Sequence, residues 1–188
     1  MNREYRRLCE KEINQLLDRK LIRESSSPWN CYNFYVNKRS EHIRSIPRLV
    51  INYKPLNSVL ADDTYPIPHK GDLLSRIARA KVFSKFDLKS GSWQVAIAEK
   101  DKFKIAFSVP ACHYEWNMMP FCLKHAPSKF QKVMDSIFKP NSKWLLAYID
   151  DILIFPKNIQ DHFRHLKIFM KLVKKNGLAL SKKKMELY

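Results

Sequence analysis

Two adjacent aspartates, Asp150 and Asp151, interrupt an apolar stretch rich in β-branched residues, AYIDDILIF. Neighbouring carboxylates repel each other, and burying either of them without a partner is costly. A third aspartate, Asp87, closes another apolar segment, KVFSKFD. If these segments are neighbouring strands, the three carboxylates meet at one edge of a sheet. Such a cluster stays ionised only when cations compensate its charge.

Hard oxygen ligands of this kind suit Mg²⁺, which keeps several waters and takes further oxygens from substrate phosphates. Two such ions clamp the attacking and leaving oxygens of a phosphoryl transfer. Nucleotidyl transfer and nucleic-acid hydrolysis are therefore the leading chemistries. Taken alone, an Asp-Asp pair between strands is also typical of a solvent-facing hairpin turn, and that interpretation stays open at this point.

The chain carries a strong positive charge, with 35 Lys and Arg against 18 Asp and Glu and a formal net charge of +17. The basic residues are spread along the sequence instead of forming one basic tail. This distribution is typical of a folded surface with basic walls, for which nucleic acid is the commonest partner. A hydrophobic content of 45% argues against a disordered chain.

Several classes of protein are disfavoured by the composition. No apolar run reaches the roughly eighteen residues of a membrane span, and the charged N-terminus does not look like a secretory signal. The 4 cysteines show no CxxC spacing, so we expect reduced thiols. The 6 histidines are scattered without ligand spacing, so we expect no zinc site.

The pattern of apolar residues predicts an α+β fold with a mainly antiparallel sheet. Helices are predicted over residues 3–23, 73–80, from Pro127 onward, and over 158–177 with Gly177 as C-cap. Strands are predicted in CYNFYVNK, PRLVINY, KVFSKFDL, SWQVAIA, KIAFSV and WLLAYIDDILIF, with a further strand beginning at LALS. The first two of these strands form a hairpin with a basic loop at its tip.

Four ordered segments resemble the motifs of a reverse transcriptase: RLVINYKPLN, FSKFDLKSGSWQV, HYEWNMMPFCLKHAPSKFQKVMD and YIDD. The resemblance runs from about residue 5 to the end and is closest to plant pararetroviruses of the caulimovirus type, then to gypsy-like retrotransposons. It implies an antiparallel palm sheet backed by helices, together with fingers. It places the fingers at approximately 1–61 and 95–125, and the palm at 62–94 and 126–188.

The resemblance also implies roles for individual residues. Asp87, Asp150 and Asp151, with the Leu88 carbonyl, would hold two Mg²⁺ ions, for which Mn²⁺ may substitute. The positions implied for the incoming nucleotide are Lys38, Arg48, Ser90, Gly91, Ser92, Phe121 and Cys122. The positions implied for primer or template are Tyr148, Lys124 and Gln131.

Some positions depart from the family pattern. Ser92 stands where a bulky Phe or Tyr blocks a ribose 2′-hydroxyl, which predicts poor discrimination against ribonucleotides. Cys112 and Cys122 stand where Gly is usual, and Pro156 where a hydroxyl residue is usual. Thumb and ribonuclease H segments are not expected within these 188 residues. These features predict an incomplete or decayed copy.

The resemblance favours an RNA-directed DNA polymerase domain that uses dNTPs, a primer and an RNA or DNA template. The alternative is a catalytically inactive, nucleic-acid-binding relic of an integrated viral or transposon polyprotein. A two-metal nuclease is disfavoured because no general-base motif of the His-Glu type is present. We expect an intracellular location, in the cytoplasm or in virus-like particles, with no membrane contact. The oligomeric state is left open.

Overall fold

The computed structural model describes residues 3–36, 47–78, 80, 82–110 and 112–187. The helices in this part of the chain are α1 (Arg3–Asp18), α2 (Lys54–Val59), α3 (Lys70–Ile77), α4 (Glu99–Lys102), α5 (Ala126–Phe138) and α6 (Ile159–Lys175). The strands are β1 (Ile22–Glu24), β2 (Asn33–Val36), β3 (Arg48–Ile51), β4 (Ser84–Asp87), β5 (Phe107–Val109), β6 (Cys112–Trp116), β7 (Leu145–Tyr148), β8 (Asp151–Ile154) and β9 (Glu186–Leu187). Helices and antiparallel strands are interleaved, which confirms the predicted α+β class.

The chain divides into two compact units, each assembled from two stretches of sequence. Unit 1 contains Met1–Ala61 and Val95–Lys124, and unit 2 contains Asp62–Gln94 and His125–Tyr188. Among the described residues, no helix has both the length and the apolarity needed to cross a membrane. All four cysteines are free thiols, as expected from their spacing.

Unit 1 contains an antiparallel sheet in the order β1-β6-β5 and the separate hairpin β2-β3. Helix α1 contributes the buried residues Cys9, Ile13 and Leu16 at helical spacing. The aromatic core of the unit lies on β5 and β6, where the Phe107 and Trp116 ring centroids are 5.7 Å apart. The predicted hairpin between CYNFYVNK and PRLVINY is therefore present, and the predicted loop 38–47 lies almost wholly outside the described residues.

Unit 2 contains a four-stranded antiparallel sheet in the order β7-β8-β4-β9. The strands β4 and β8 alternate buried and half-buried residues, so one face of the sheet is buried. Helix α6 packs on this sheet and on α5 through Phe169, which is 0% exposed and lies 4.7 Å from Phe86 and 5.9 Å from Phe138 between ring centroids. Burying a side chain of this size stabilises the fold by about 1.5–3 kcal/mol.

The ends of the two long helices of unit 2 agree with local sequence signals. Pro127 lies in the first turn of α5, where a missing N–H is tolerated. Asn158 caps α6 by accepting a hydrogen bond from the Asp161 N–H at 2.8 Å. Gly177 follows the helix with a φ of +64°, the left-handed conformation that ends many helices. The predicted bounds of α6 are therefore confirmed to within a residue or two.

Two predictions about elements are wrong, and several elements were not predicted. The segment SWQVAIA is not a strand, because Gly91–Gln94 form a 3₁₀-helix directly after a turn in which Ser90 has a φ of +51°. Helix α1 ends at Asp18 instead of continuing to residue 23, because Lys20 turns the chain with a φ of +55° and leads it into β1. The elements that were not predicted include the strands β1, β6 and β9 and the short helices α2 and α4.

Candidate active site

The structure brings the three aspartates of the sequence motifs together in unit 2. Asp87 ends β4, Asp151 begins β8, and the antiparallel register places these two residues directly opposite each other. Directly opposite side chains in such a pair have Cβ atoms about 4.5–5.5 Å apart. Asp150 lies in the preceding turn, and its carbonyl accepts a hydrogen bond from the Leu88 N–H at 2.9 Å. The strand pairing therefore produces the cluster of carboxylates.

The charges in this cluster are only partly compensated by the protein. Lys184 Nζ donates to Asp87 Oδ2 at 2.9 Å, and Lys85 Nζ lies 3.4 Å from Asp151 Oδ1. Burial raises the pKa of Asp150, and the negative charges of Asp87 and Asp151 raise it further, while Lys184 lowers it. The pairing with Asp87 raises the pKa of Lys184. Additional positive charge near Asp150 would therefore stabilise its ionised form.

Gly91 is needed because the Asp150 carboxylate lies against its backbone. A Cβ atom at position 91 would collide with Asp150 Oδ1 and would lie 2.9 Å from Phe130 Cζ. The φ of Gly91 is not in the left-handed region, so close approach is the constraint at this position. The resemblance implies that Gly91 lies near the incoming nucleotide, and in the structure the Asp150 carboxylate occupies the space beside its backbone.

Gln131, a residue of α5 that is 0% exposed, forms hydrogen bonds with the turn between β7 and β8. Its Nε2 donates to the Ala147 carbonyl at 3.0 Å, and its Oε1 accepts from the Ile149 N–H at 2.8 Å. Nε2 also donates to Asp135 Oδ1 at 2.8 Å. Ile149 has a φ of +52°, a conformation that costs about 1–2 kcal/mol for a residue with a Cβ. The expected contact between Gln131 and template is incompatible with this burial.

The loop that follows Asp87 is tied to the segment that carries Lys184. The Lys89 N–H donates to the Ala179 carbonyl at 2.8 Å, next to an isolated antiparallel bridge between Leu88 and Leu180. The Gln94 side chain supports this contact, with Nε2 donating to the Lys89 carbonyl at 2.8 Å and Oε1 accepting from the Ala179 N–H at 2.8 Å. Asp87 and Lys184 are therefore positioned by the same small network.

The other predicted site residues of unit 2 lie near the aspartates in sequence or register. Tyr148 is half-buried at the end of β7 and pairs with Asp151. Ser90 forms the positive-φ turn that precedes Gly91. Ser92 is 8% exposed, and its hydroxyl has no hydrogen-bond partner among the described residues. The effect of Ser92 on sugar discrimination stays a prediction.

The remaining predicted site residues belong to unit 1. Phe121 is 48% exposed, and Cys122 is exposed with a φ of +76°. The Asn57 side chain holds this turn, because Nδ2 donates to the Cys122 carbonyl at 3.0 Å and Oδ1 accepts from the Lys124 N–H at 2.9 Å. Arg48 lies in β3 opposite Val36, but its side chain, like the whole of the predicted nucleotide-binding residue Lys38, lies outside the described residues.

The donors present in unit 2 fit hard divalent cations, because they are carboxylate oxygens beside a backbone carbonyl. The close packing of Asp150 on Gly91 and its raised pKa are both consistent with a carboxylate that needs a cation partner. Within the described ranges, no group of three or more His, Cys, Asp or Glu side chains is arranged to hold a metal ion. The Lys184 ammonium lies 2.9 Å from Asp87 Oδ2 and partly compensates the charge of this carboxylate.

A family described as "Reverse transcriptase (RNA-dependent DNA polymerase)" matches residues 36–188 of the chain. The chain belongs to the reverse transcriptase family. The resemblance inferred from the four motifs is therefore confirmed.

Plant viral polyproteins are among the relatives of this reverse transcriptase family member. It is 52% identical over 185 residues to the genome polyprotein of Petunia vein clearing virus, covering 98% of this chain and 8% of the relative. It is 43% identical over 179 residues to the enzymatic polyprotein of Cauliflower mosaic virus (strain Strasbourg), covering 95% of this chain and 26% of the relative. The chain thus spans a small part of these polyproteins, and the predicted similarity to pararetroviruses is confirmed.

The fold of this family member matches that of a solved reverse transcriptase. The structure of the foamy viral protease-reverse transcriptase in complex with RNA/DNA hybrid superimposes with a TM-score of 0.87 at 22% identity. The match covers 100% of this chain and 25% of that chain. At this identity the match shows the fold, and it confirms the predicted architecture of helices and antiparallel sheet.

Sequence reasoning missed several residues of the site in this reverse transcriptase family member. Lys184 lies in a run of three lysines, and nothing in the run distinguishes the one that contacts Asp87. Gln94 and Asn57 lie inside motifs that were assigned to other roles, and their amides hold turns that are distant in sequence.

Proposed function

We propose that this chain provides the fingers and palm of an RNA-directed DNA polymerase, with unit 1 as fingers and unit 2 as palm. The reaction is template-directed transfer of a nucleotide from a dNTP to a primer 3′-hydroxyl. The observation that carries the proposal is the register that pairs Asp87 with Asp151 beside Asp150, in a chain of the reverse transcriptase family. The net charge of +17 supports a nucleic-acid substrate.

In this proposal Asp87, Asp150 and Asp151, with the Leu88 carbonyl, hold two Mg²⁺ ions, and Mn²⁺ can substitute. When bound, such ions neutralise developing charge and orient the attacking and leaving oxygens of a phosphoryl transfer. The protein supplies the rigid frame: Leu88 N–H holds the Asp150 backbone, and Gly91 leaves space for the Asp150 carboxylate. Lys184 has to release the Asp87 oxygen that it contacts before a cation binds there.

The primer 3′-hydroxyl oxygen attacks the α-phosphorus of the dNTP, so a new O–P bond forms and the bond to pyrophosphate breaks. The hydroxyl proton is lost to solvent or to a phosphate oxygen. Arg48, Lys38 and the backbone amides of Ser90 and Gly91 are proposed to bind the triphosphate. Ser92, Phe121 and Cys122 are proposed to contact the sugar and base of the same nucleotide.

Nucleic-acid contacts of the proposed polymerase come from Tyr148 and Lys124. Tyr148 pairs with Asp151 in the strand register, so a primer end held at Tyr148 would lie beside the carboxylates. Lys124 is exposed and suits a phosphate of the template. The foamy viral protease-reverse transcriptase whose fold matches this chain was solved with RNA/DNA hybrid, which supports a primer–template as the substrate.

The proposal is tested by incorporation of labelled dNTPs on a primed homopolymer template with Mg²⁺ or Mn²⁺. The chain, and a form extended past Tyr188, are compared with Asp150→Asn and with Asp72→Asn, a matched loss of one charge at an exposed position of the same unit. We expect Asp150→Asn to lose activity by more than about 100-fold and Asp72→Asn to keep it. Wild-type rates in Asp150→Asn would refute the proposal.

A catalytically inactive nucleic-acid-binding relic is the second candidate function. Two observations favour it: Cys122 is forced into a φ of +76°, and the Ser92 hydroxyl is buried without a partner among the described residues. Both candidates predict binding of primer–template that weakens steeply with salt. Salt-dependent binding without any extension by either form of the chain would favour the relic. Mg²⁺-dependent extension would exclude it.

A further inference from the structure

The amide of Gln131 contacts the backbone of Ala147 and Ile149, which leads into Asp150. We propose that Gln131 is a positioning residue, whose buried amide sets the backbone of this turn and thereby the place of the Asp150 carboxylate. The inference rests on the proposed function, because it assigns importance to a carboxylate that is proposed to be catalytic. Gln131 itself touches neither substrate nor cation in this assignment, since it is 0% exposed.

The hydrogen bonds of Gln131 permit only one orientation of its amide. Oε1 accepts from the Ile149 N–H, while the two hydrogens of Nε2 go to the Ala147 carbonyl and to Asp135 Oδ1. In the flipped orientation, Oε1 would face a carbonyl and a carboxylate, and all of these groups are acceptors. The amide therefore fits only one orientation of the backbone N–H and C=O groups at this turn. An apolar side chain of the same size would not select between orientations.

The turn depends on this amide because strand pairing ends before it. The last register pair of the hairpin is Tyr148 with Asp151, so Ile149 and Asp150 lie outside the ladder. Ile149 is a β-branched residue with a φ of +52°, a conformation that its side chain disfavours. Among the described residues, the backbone hydrogen bonds that hold the turn from outside the hairpin come from the Gln131 amide and from the Leu88 N–H on the Asp150 carbonyl.

Asp135 holds Gln131 from the side opposite the turn. It lies one helical turn after Gln131 on α5, and its second oxygen accepts a hydrogen bond from the Tyr65 hydroxyl. That contact raises the pKa of Tyr65, because the phenol is a donor to a carboxylate. A side chain that only filled space under the turn would not require this second, polar support. The chain Tyr65–Asp135–Gln131 therefore fixes the amide before it reaches the turn.

The first test measures the turn directly. Amide hydrogen exchange of Ile149, whose N–H donates to Gln131, is compared by NMR with that of Ile152, which lies inside the ladder of β8. We expect Gln131→Met to raise the Ile149-to-Ile152 exchange ratio by about 10-fold or more, because the N–H loses its acceptor. Met134→Ala is the matched control, since Met134 is also 0% exposed on α5, and it should leave the ratio unchanged.

The second test asks whether the turn matters for the site. In Gln131→Met we expect kcat for dNTP incorporation to fall by about 10–100-fold and the Mn²⁺ affinity measured by calorimetry to fall several-fold. KM for the dNTP should change much less, because Gln131 does not contact it. If Gln131→Met does not fold, Tyr65→Phe removes only the donor to Asp135 and should shift the exchange ratio in the same direction by a smaller factor.

An unchanged exchange ratio in Gln131→Met would overturn the inference, whatever the activity. A raised ratio with unchanged kcat and unchanged Mn²⁺ affinity would overturn it as well, because the turn would then move without consequence. The wild type could be inactive while Gln131→Met still shows the expected rise in the exchange ratio and the expected loss of Mn²⁺ affinity. That result would refute the proposed function but support the positioning of Asp150 by Gln131.

Discussion

Two turns of this molecule are held by the same arrangement of an amide side chain in different surroundings. In unit 1, Asn57 donates to the first carbonyl of the turn 122–124 and accepts from its third N–H. In unit 2, Gln131 does the same for residues 147–149. Each turn also contains a non-glycine residue with a positive φ, +76° at Cys122 and +52° at Ile149. The amide contacts are therefore alike, although the positive φ lies at the first residue of one segment and at the third residue of the other.

The two turns differ in burial and in what they carry. Cys122 and Lys124 are exposed, so water can replace a lost hydrogen bond of the Asn57 amide. Gln131 is 0% exposed, so the groups that it satisfies would lose their partners without replacement. We therefore expect the same contact to stabilise the turn more strongly when the amide is buried, and the turn held by the buried amide is the one beside the aspartates.

The largest loss of stability is expected where an added Cβ atom would collide with the carboxylate of Asp150. Gly91→Ala places a Cβ against Asp150 Oδ1 and 2.9 Å from Phe130 Cζ, so we expect a loss of about 3 kcal/mol in the free energy of unfolding. Gly71→Ala is the matched control, because a Cβ there meets nothing within 4 Å and a helical Ala should stabilise by about 0.5–1 kcal/mol. Denaturant unfolding of both variants measures the difference, and equal stabilities would contradict the close approach.

Removal of the two amides tests the comparison itself. We expect Gln131→Met to lower the free energy of unfolding by about 2 kcal/mol, because the Ala147 carbonyl and the Ile149 N–H lose their partner in the core. Asn57→Ala should lower it by about 0.5 kcal/mol, because water reaches the exposed turn. Urea titrations of the two variants are the measurement. A larger loss in Asn57→Ala would break the comparison.

A glycine at the positive-φ position of the exposed turn tests how much the backbone conformation there costs. Cys122→Gly removes the Cβ that disfavours a φ of +76°, so we expect a gain of about 1 kcal/mol in the free energy of unfolding. Cys112→Gly is a suitable control, because Cys112 lies in the regular strand β6 and has no positive φ. A thermal shift upward for Cys122→Gly and not for Cys112→Gly is the expected result. A destabilised Cys122→Gly would show that the thiol has a packing role.

The smallest change in the free energy of unfolding is expected from a change in pH. Burial lowers the pKa of His162 from 6.5, and its Nε2 contacts the buried Ser84 hydroxyl at 2.8 Å. The unfolded chain therefore binds a proton more readily than the folded chain, and the stability contributed by neutral His162 is lost as pH falls below about 6.5. Burial lowers the pKa of His165 as well. We expect a loss below about 1 kcal/mol between pH 7 and 5.

In unit 1 the groups with a shifted pKa are carboxylates, cysteine thiols, tyrosine phenols and Arg23. None of these groups ordinarily titrates between pH 7 and 5, so the same pH range should leave that unit almost unaffected. A hydrogen bond from Lys102 lowers the pKa of Glu99, and one from Lys104 lowers that of Asp101. Their stabilising contribution is lost only when pH falls below the ordinary carboxylate values near 4. On lowering the pH to 5, amide hydrogen exchange should become faster in unit 2 than in unit 1, and His162→Gln should remove part of this difference. An equal rise in exchange in both units would contradict the assignment to His162.

Much of the fold was predictable because its signals are local. Pro127 marked the start of α5, and Asn158 and Gly177 bounded α6. The segment SWQVAIA was misread, because its apolar alternation resembles a strand while the Ser90 turn and the Gln94 contacts favour a 3₁₀-helix. Those contacts reach Ala179, which is 85 residues away in sequence, so no local pattern reports them.

The sequence by itself determined the family and singled out the three aspartates as candidates, because motifs of fixed spacing and residues of fixed chemistry are visible along one chain. Only the tertiary structure decided which residues support those aspartates. Gln131 is joined to Ile149 across 18 residues and Lys184 to Asp87 across 97. Such contacts depend on where the folded backbone brings a donor to an acceptor, and residue type alone does not specify that.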